Sequence, residues 1–361
     1  MIERRKGRGR IATLLLLLLL LAACGGAAAT PPAPQPSDEP PPETPTSEPI
    51  AEVPSPTSGG ATASAAPAAL ASTVPVAPSA SAVVPPALGV PATPPTAAST
   101  PRPKTTSPLA THRMITYYGH PASNRMGILG EFEPEQMVAK LQAQTASYNA
   151  ADPSRPSICT IELIASVAQG SPGEKGLWLL RTSTKDIEKY AQLAEVHGCL
   201  LLLDIQMGYD TVANDVKALI PFLKRPYVHL AIDPEFHVKQ GQIPGEHYGS
   251  VSAAEVLGAA QILRDLVREN NLPDKVLVIH QFRDDMLPDK GNITPVANVD
   301  IVIMMDGWGL PGAKVANYNQ FIRDELIQYG GIKLFYRQDD PLLSPQEVVK
   351  LDPSPLIVVY Q

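Results

Sequence analysis

The sequence is poor in cysteine, in aromatic residues and in basic charge, and each shortage removes a class of explanation. Three cysteines in 361 residues cannot build a disulfide-dense scaffold, and no Cys/His spacing suits zinc. Aromatic residues make up only 5% of the chain. The longest apolar run, Leu14 to Leu21, is too short for a stable transmembrane helix. The formal charge is −7, and without the first 23 residues 24 Lys+Arg face 35 Asp+Glu, a balance of −11. That excess of acid argues against nucleic acid as a partner, and no basic stripe offsets it. No P-loop is present to cradle a phosphate, and neither His-x-His nor His-Glu-x-x-His spacing occurs. No cofactor is therefore expected.

What is present begins with a leader. Arg4, Arg5, Lys6, Arg8 and Arg10 precede the leucine run, and Ala22-Ala23-Cys24 follows it. A basic start, a short apolar core and small residues before a cut describe a secretory signal. Leu21-Ala22-Ala23-Cys24 also resembles the lipobox of bacterial lipoproteins. The resemblance implies cleavage before Cys24, lipid on its sulfur and amino group, and a mature chain tethered to the membrane outside the cytoplasm.

From residue 24 to residue 110 the chain is Pro, Ala, Ser and Thr, and 22 of its 39 prolines fall here. Such a stretch cannot bury enough apolar surface to offset its ordering entropy, so a disordered linker is expected. At ~3.1 Å per residue its extended reach is roughly 250 Å. The organisation expected is therefore a signal over 1–23, a lipidated cysteine and linker over 24–110, and one domain over 111–361.

Those last 251 residues have the length of a (β/α)8 barrel. Apolar, β-rich runs predict eight strands, at 114–120, 159–166, 199–206, 228–235, 276–282, 300–306, 332–338 and 356–361. Helical patterns lie between them, at 134–149, 185–197, 212–223, 253–270, 318–329 and 345–351; the connection over 284–298 is less clearly helical. Alternating elements of this kind imply parallel pairing with right-handed crossovers, hence an α/β TIM barrel. The helix-to-strand joins are tight, as at His197-Gly198 and Gly330-Gly331. The strand-to-helix joins are long, and function in this architecture collects where they lie. An open doubly wound sheet would normally show a glycine-rich first turn, which residues 123–127 do not provide.

The polar residues at the carboxyl ends of these strands are the candidate site. Asp233 and Glu235 stand two apart at the end of the fourth strand, where a strand would put both carboxylates on one face. Two acids stacked on a buried face repel and desolvate each other, which separates their pKa values as general acid–base chemistry needs. Glu235 reads as the proton donor, with Asp306 or Asp204 as its counterpart. Tyr118, His120, Gln206, His280, Tyr336 and Tyr360 complete the rim as substrate-binding candidates. Trp308, and with it Tyr248, offers a flat face to a sugar ring. Glu162 lies deeper in the second strand, where a charge is costly unless paired. Carboxylates and aromatics around one mouth suit glycoside chemistry. A carboxyl separation of about 5 Å would imply retention, and about 6.5–9.5 Å inversion.

Ala231-Ile232-Asp233-Pro234-Glu235 resembles the fourth-strand motif of family 18 chitinases and family 25 lysozymes. Ile303-Met304-Met305-Asp306-Gly307 is similar to the sixth-strand segment of the chitinases. The resemblance implies that Glu235 is the general acid and that Asp233 orients a substrate group or tunes it. It is incomplete, because Ala231 stands where the chitinases carry a further aspartate, and their eighth-strand tryptophan is absent. Where the lysozymes have a first-strand aspartate, this chain has Tyr118 and His120.

The expected function is thus a surface-tethered, monomeric glycoside hydrolase acting on a polysaccharide or cell-wall glycan. Two alternatives stand beside it. One is a non-catalytic carbohydrate-binding or scaffold lipoprotein. The other is a metal-dependent hydrolase using Asp204, Asp233, Glu235, His280 and Asp306, for which no motif spacing speaks. Finally, Cys159 and Cys199 open neighbouring strands, so they are either bridged at the amino end of the barrel or remain as two buried thiols.

Overall fold

The computed structural model describes residues 106–173 and 175–361. The expected signal, the expected lipidation site Cys24 and the expected linker up to residue 105 lie outside the described residues. Residues 106–110, counted with the linker above, already fold onto the domain. Ser107 caps a single 3-10 turn over Pro108–Ala110, Leu109 is buried, and Thr106 and Asp274 exchange two hydrogen bonds.

Eight parallel strands close into a barrel. They are β1 (Arg113–Gly119), β2 (Ser157–Ala168), β4 (Leu200–Ile205), β5 (Val228–Ile232), β6 (Lys275–Gln281), β7 (Val299–Met305), β8 (Tyr329–Leu334) and β9 (Ile357–Tyr360). Each pairs with the next, and β9 returns to β1, so no edge is left open. A short strand, β3 (Leu179–Arg181), turns back antiparallel on the end of β2 and is the one strand the sequence pattern did not suggest. The helices α1 (Pro134–Ala151), α2 (Thr184–Val196), α3 (Val212–Leu223), α4 (Ala253–Asn270), α5 (Pro311–Tyr318) and α6 (Pro345–Val348) connect the strands. Their starts are set locally: Ser183 and Thr211 cap α2 and α3, and Ser252 with Glu255 forms a capping box on α4. Among the described residues no helix is long and apolar enough to cross a membrane.

Side chains alternate between two apolar layers, with one break where an irregularity between Ile164 and Ser166 shifts the register of β2. Val228, Leu230 and Ile232 of β5 join the layer beneath the helices, with Leu201, Leu203, Leu277 and Ile301. Met114, Leu202, Val278, Val302 and Val359 fill the barrel interior. Cys159 and Cys199 both belong to the outer layer and are bridged, with Cα atoms 4.8 Å apart. Their strands pair in parallel with Thr160 beside Leu200, so the two cysteines, one step earlier, are direct neighbours on the same face.

Two expectations shift. The helix read over 318–329 is instead α5, begun by Pro311 at its first turn and prolonged by a π-helical stretch over Asn319–Arg323. The strand read over 332–338 begins at Tyr329 and ends at Leu334. Gly330-Gly331, read as a turn, lies inside that strand because the packing there leaves no room for a side chain. A Cβ on Gly330 would sit 2.2 Å from Ile322 Cγ2, and one on Gly331 2.6 Å from Met304 Cε.

Candidate active site

The carboxyl end of the barrel opens into a cavity of about 670 Å³. Tyr118, Gln206, Asp233, Glu235, Tyr248, Asp306 and Trp308 all line it, so seven of the residues singled out from sequence share one wall system. The reason is parity. Residues 118, 204, 206, 233 and 306 continue the interior-facing register of β1, β4, β5 and β7, which the barrel aims at its own axis.

Asp233 and Glu235 are not stacked on one strand face as expected. β5 stops at Ile232, and Pro234–Phe236 forms a 3-10 turn. Pro234 fixes φ and has no N–H to continue the ladder, while Asp233 Oδ1 accepts the Glu235 N–H at 3.1 Å and caps the turn. Asp233 is thereby 2% exposed at the cavity wall, and Glu235 stands half-buried above it.

The interior beneath the cavity is a connected set of ionisable groups. His280 is fully buried between two carboxylates: its Nδ1 lies 3.0 Å from Asp306 Oδ2 and its Nε2 3.2 Å from Glu162 Oε1. Lys333 Nζ lies 3.1 Å from Asp306 Oδ1 and 3.8 Å above the centre of the Tyr118 ring. Tyr118 donates to Asp204 Oδ2 at 3.3 Å, and Gln206 donates to the Tyr118 hydroxyl at 3.4 Å.

These contacts divide the acids into two kinds. Burial works to raise Asp306, but Lys333 and His280 outweigh it and hold the carboxyl below its ordinary value. Burial would lower His280 and Lys333; Asp306 and Glu162 for the first, and Asp306 with Asp233 for the second, reverse that and raise both. Lys333 and His280 also pull Glu235 down, but they do not outweigh what raises it. Burial first, and then the charge on Asp306, push it up to about 7. Desolvation likewise raises Asp204 to about 6 and lifts Asp233 well above the carboxylate range. At neutral pH one wall therefore holds an ionised Asp306 and, beside it, a Glu235 that keeps its proton in part of the population.

The remaining sequence candidates fall elsewhere. Asp204 and His280 lie behind the wall, fully buried, and reach the cavity only through Tyr118 and Asp306. His120 turns away to Thr182 Oγ1 at 3.0 Å. Tyr360 points to the helix layer, where its hydroxyl meets that of Tyr148 at 2.8 Å. Tyr336 stacks on Tyr360 with ring centroids 5.2 Å apart. Both have the outward parity of β8 and β9, shared with Leu334 and Val358, so neither belongs to the cavity wall. Trp308 and Tyr248 are exposed at the rim, 66% and 54%. The loop carrying Trp308 is pinned by a buried ion pair, Lys314 to Asp339 at 2.9 Å. Lys314 also donates to Gly307 O, and Asp339 accepts the Gly309 N–H.

Lys333 was missed. A lysine inside an apolar run is a signal, but the strand was read three residues late, and Tyr336 stood in its place. Arg125 and Phe282, also in the cavity wall, carried no signal in the sequence.

The four acids and one histidine weighed as metal ligands do not all converge. Glu162, Asp204 and His280 offer donor atoms within 4.8 Å of one another. Asp204 Oδ1 and Glu162 Oε2 have no hydrogen-bond partner there. Both nitrogens of His280, however, already face carboxylates, and an imidazolium keeps no lone pair for a metal. The donor set fits a buried charge network better than a cation site.

The sequence matches no known family model and no curated protein. Among solved structures it is similar to the Bacillus subtilis mannanase BCman, with 11% identity over 71% of this chain and 81% of that one and a TM-score of 0.34. It is also similar to a Thermomonospora fusca β-mannanase in complex with mannohexaose, with 13% identity, 70% and 77% coverage and a TM-score of 0.35. A third is oxaloacetate acetylhydrolase, with 14% identity, 69% and 75% coverage and a TM-score of 0.36. Likenesses this distant carry no inference about activity.

Proposed function

We propose that this chain is a glycoside hydrolase in which Glu235 is the general acid and Asp306 the ionised counterpart. The observation that carries the reading is the opposed protonation of two carboxyls on one cavity wall, Glu235 raised to about 7 and Asp306 lowered despite its burial. Glycoside cleavage needs this division. Glu235 delivers its proton to the bridging oxygen as the bond to the anomeric carbon breaks. Asp306, held ionised by His280 and Lys333, supports the positive charge that develops on the ring. Water completes the reaction, its hydroxyl going to the anomeric carbon and its proton back to a carboxylate. Asp233, its carboxyl pushed up by burial, caps the turn and keeps Glu235 at the wall. Trp308 supplies a rim face for stacking.

The leader extends the proposal to location. A lipid on Cys24, with a proline-rich spacer behind it, would hold the barrel outside the cytoplasm within reach of wall or environmental polysaccharide.

The test is to incubate the purified full chain with chitin, peptidoglycan, and α- and β-glucans, and to follow products by mass spectrometry beside Glu235→Gln. New oligosaccharides from the parent, reduced about 10²–10⁴-fold in the variant with binding retained, are expected. Equal products from both would remove Glu235 from its role. No products from the parent, with glycan binding that depends on Trp308, would make the barrel a tethered binding module.

A further inference from the structure

The cavity is not closed on the side of β6. Phe282 and Asn317, which line it, also line a second hollow of about 430 Å³. The other walls of that hollow include Arg283, Asp284, Asp285 and Gln320. A smaller hollow of about 140 Å³ shares Tyr248 with the cavity and Asp285 with the second hollow. Three depressions with common walls lie side by side from the carboxyl pair outward past Phe282, and together they outline a groove.

We propose that this groove holds an internal stretch of a neutral glycan chain, with one sugar unit seated beyond Phe282 between Arg283 and Gln320. The inference rests on the glycosidase reading and adds to it the kind of substrate and a subsite remote from the reacting bond.

Size argues for a chain. The main cavity alone has the volume that takes a drug-sized ligand, more than one sugar ring fills, and the groove continues past it. Chemistry argues for a sugar in the outer hollow. Its polar groups are planar and held by one another: Arg283 Nε and Nη2 donate to the two oxygens of Asp285 at 2.9 and 2.8 Å, and Gln320 Nε2 donates to Asp284 Oδ1 at 3.1 Å. A guanidinium has five N–H groups and Arg283 spends two on Asp285, so donors remain for hydroxyls. The guanidinium also lies 4.7 Å above the centre of the Tyr248 ring, which packs edge-on to Phe282. That stack fixes the wall shared by the hollows before any ligand arrives, so little ordering entropy is lost on binding.

Charge argues for a neutral unit. One guanidinium faces two carboxylates in the outer hollow, and the excess of one negative charge repels a uronate or sulfated sugar. The same excess leaves hydroxyl recognition untouched.

The full chain is assayed on matched tri- and hexasaccharides: cellotriose and cellohexaose, mannotriose and mannohexaose, chitotriose and chitohexaose, maltotriose and maltohexaose. Hexagalacturonate serves as the charged control. For the series that is cleaved, kcat/KM should be at least about tenfold higher for the hexamer, the worth of one or two extra hydrogen bonds, with cuts inside the chain. In an Arg283→Ala/Gln320→Ala double variant that hexamer-to-trimer ratio should fall to within about threefold of one. A ratio near one in the parent, or a ratio unchanged in the variant, overturns the subsite and leaves the glycosidase reading standing. Hexagalacturonate cleaved as well as the neutral hexamer overturns the charge argument. Failure of the parent to cleave any of these glycans, or the polymers above, overturns the functional reading and this inference with it.

Discussion

Replacing Lys333 by Met tests the charge network most directly, because its effect on stability does not depend on knowing the substrate. Lys333 Nζ is 3.1 Å from Asp306 Oδ1 and 3.8 Å from the centre of the Tyr118 ring, and the side chain is 4% exposed. Methionine fills nearly the same volume and packs on the aromatic ring, so the perturbation is electrostatic rather than a cavity. Asp306 would be left buried with His280 alone. Removing one partner of a buried ion pair costs about 3–5 kcal/mol, chiefly the desolvation of the charge left behind. Against a total stability of ~5–15 kcal/mol the domain should still fold. The loss should appear as a lower urea midpoint at unchanged slope. Asp306 should then titrate higher, as expected for a carboxyl deprived of a cation at contact distance. If Asp306 must be ionised for turnover, the acid limb of the pH–rate profile moves up with it. A stability change below about 1 kcal/mol, with an unmoved acid limb, would show that Lys333 does not hold Asp306 in its charged form.

The raised carboxyls make a second, independent prediction. Burial lifts Asp204 and Asp215 to about 6 and Glu235 to about 7 in the folded chain. An acid whose folded pKa exceeds its unfolded one contributes stability that is present below about pH 4 and is lost as pH rises through about 6–7. Asp306, being lowered, opposes this only below its ordinary value. The thermal midpoint should therefore be higher at pH 5 than at pH 8, and a midpoint that climbs with pH over this range would contradict the assigned shifts. The Cys159–Cys199 bridge closes a 40-residue separation, for which chain entropy gives about 4 kcal/mol. Reductant and the Cys159→Ser/Cys199→Ser double variant should lower the urea midpoint equally, and inequality would point to strain rather than loop closure. Cys24→Ala should move the chain from the membrane fraction to the soluble one, and an unchanged membrane fraction would remove the lipid tether.

Much of the architecture was legible locally. The near-continuous apolar runs at 228–232 and 276–279 and the asymmetry of loop lengths are properties of short segments, and they led to the barrel and its functional end. Asp233, Glu235 and Asp306 were found because each follows an apolar run at its carboxyl end. The stacking expected of Asp233 and Glu235 failed for a local reason, Pro234 and the turn that Asp233 caps, whereas around β8 the cause was non-local. Gly330-Gly331 is ambiguous until Ile322 and Met304 are known to press on it. Once β8 starts at Tyr329, Lys333 faces the axis, and Tyr336 and Tyr360 face the helices.

By itself, then, the sequence determined the alternation of elements, the closed parallel sheet and the end at which polar side chains gather, because periodicity and turn composition act over a few residues. Only the tertiary structure decided which of those side chains meet, since closure of the barrel sets register, and a shift of one residue exchanges inside for outside. It also decided their charge. Desolvation by distant strands raises Glu235, and contacts from β6 and β8 hold Asp306 down. No stretch of neighbouring residues contains that difference.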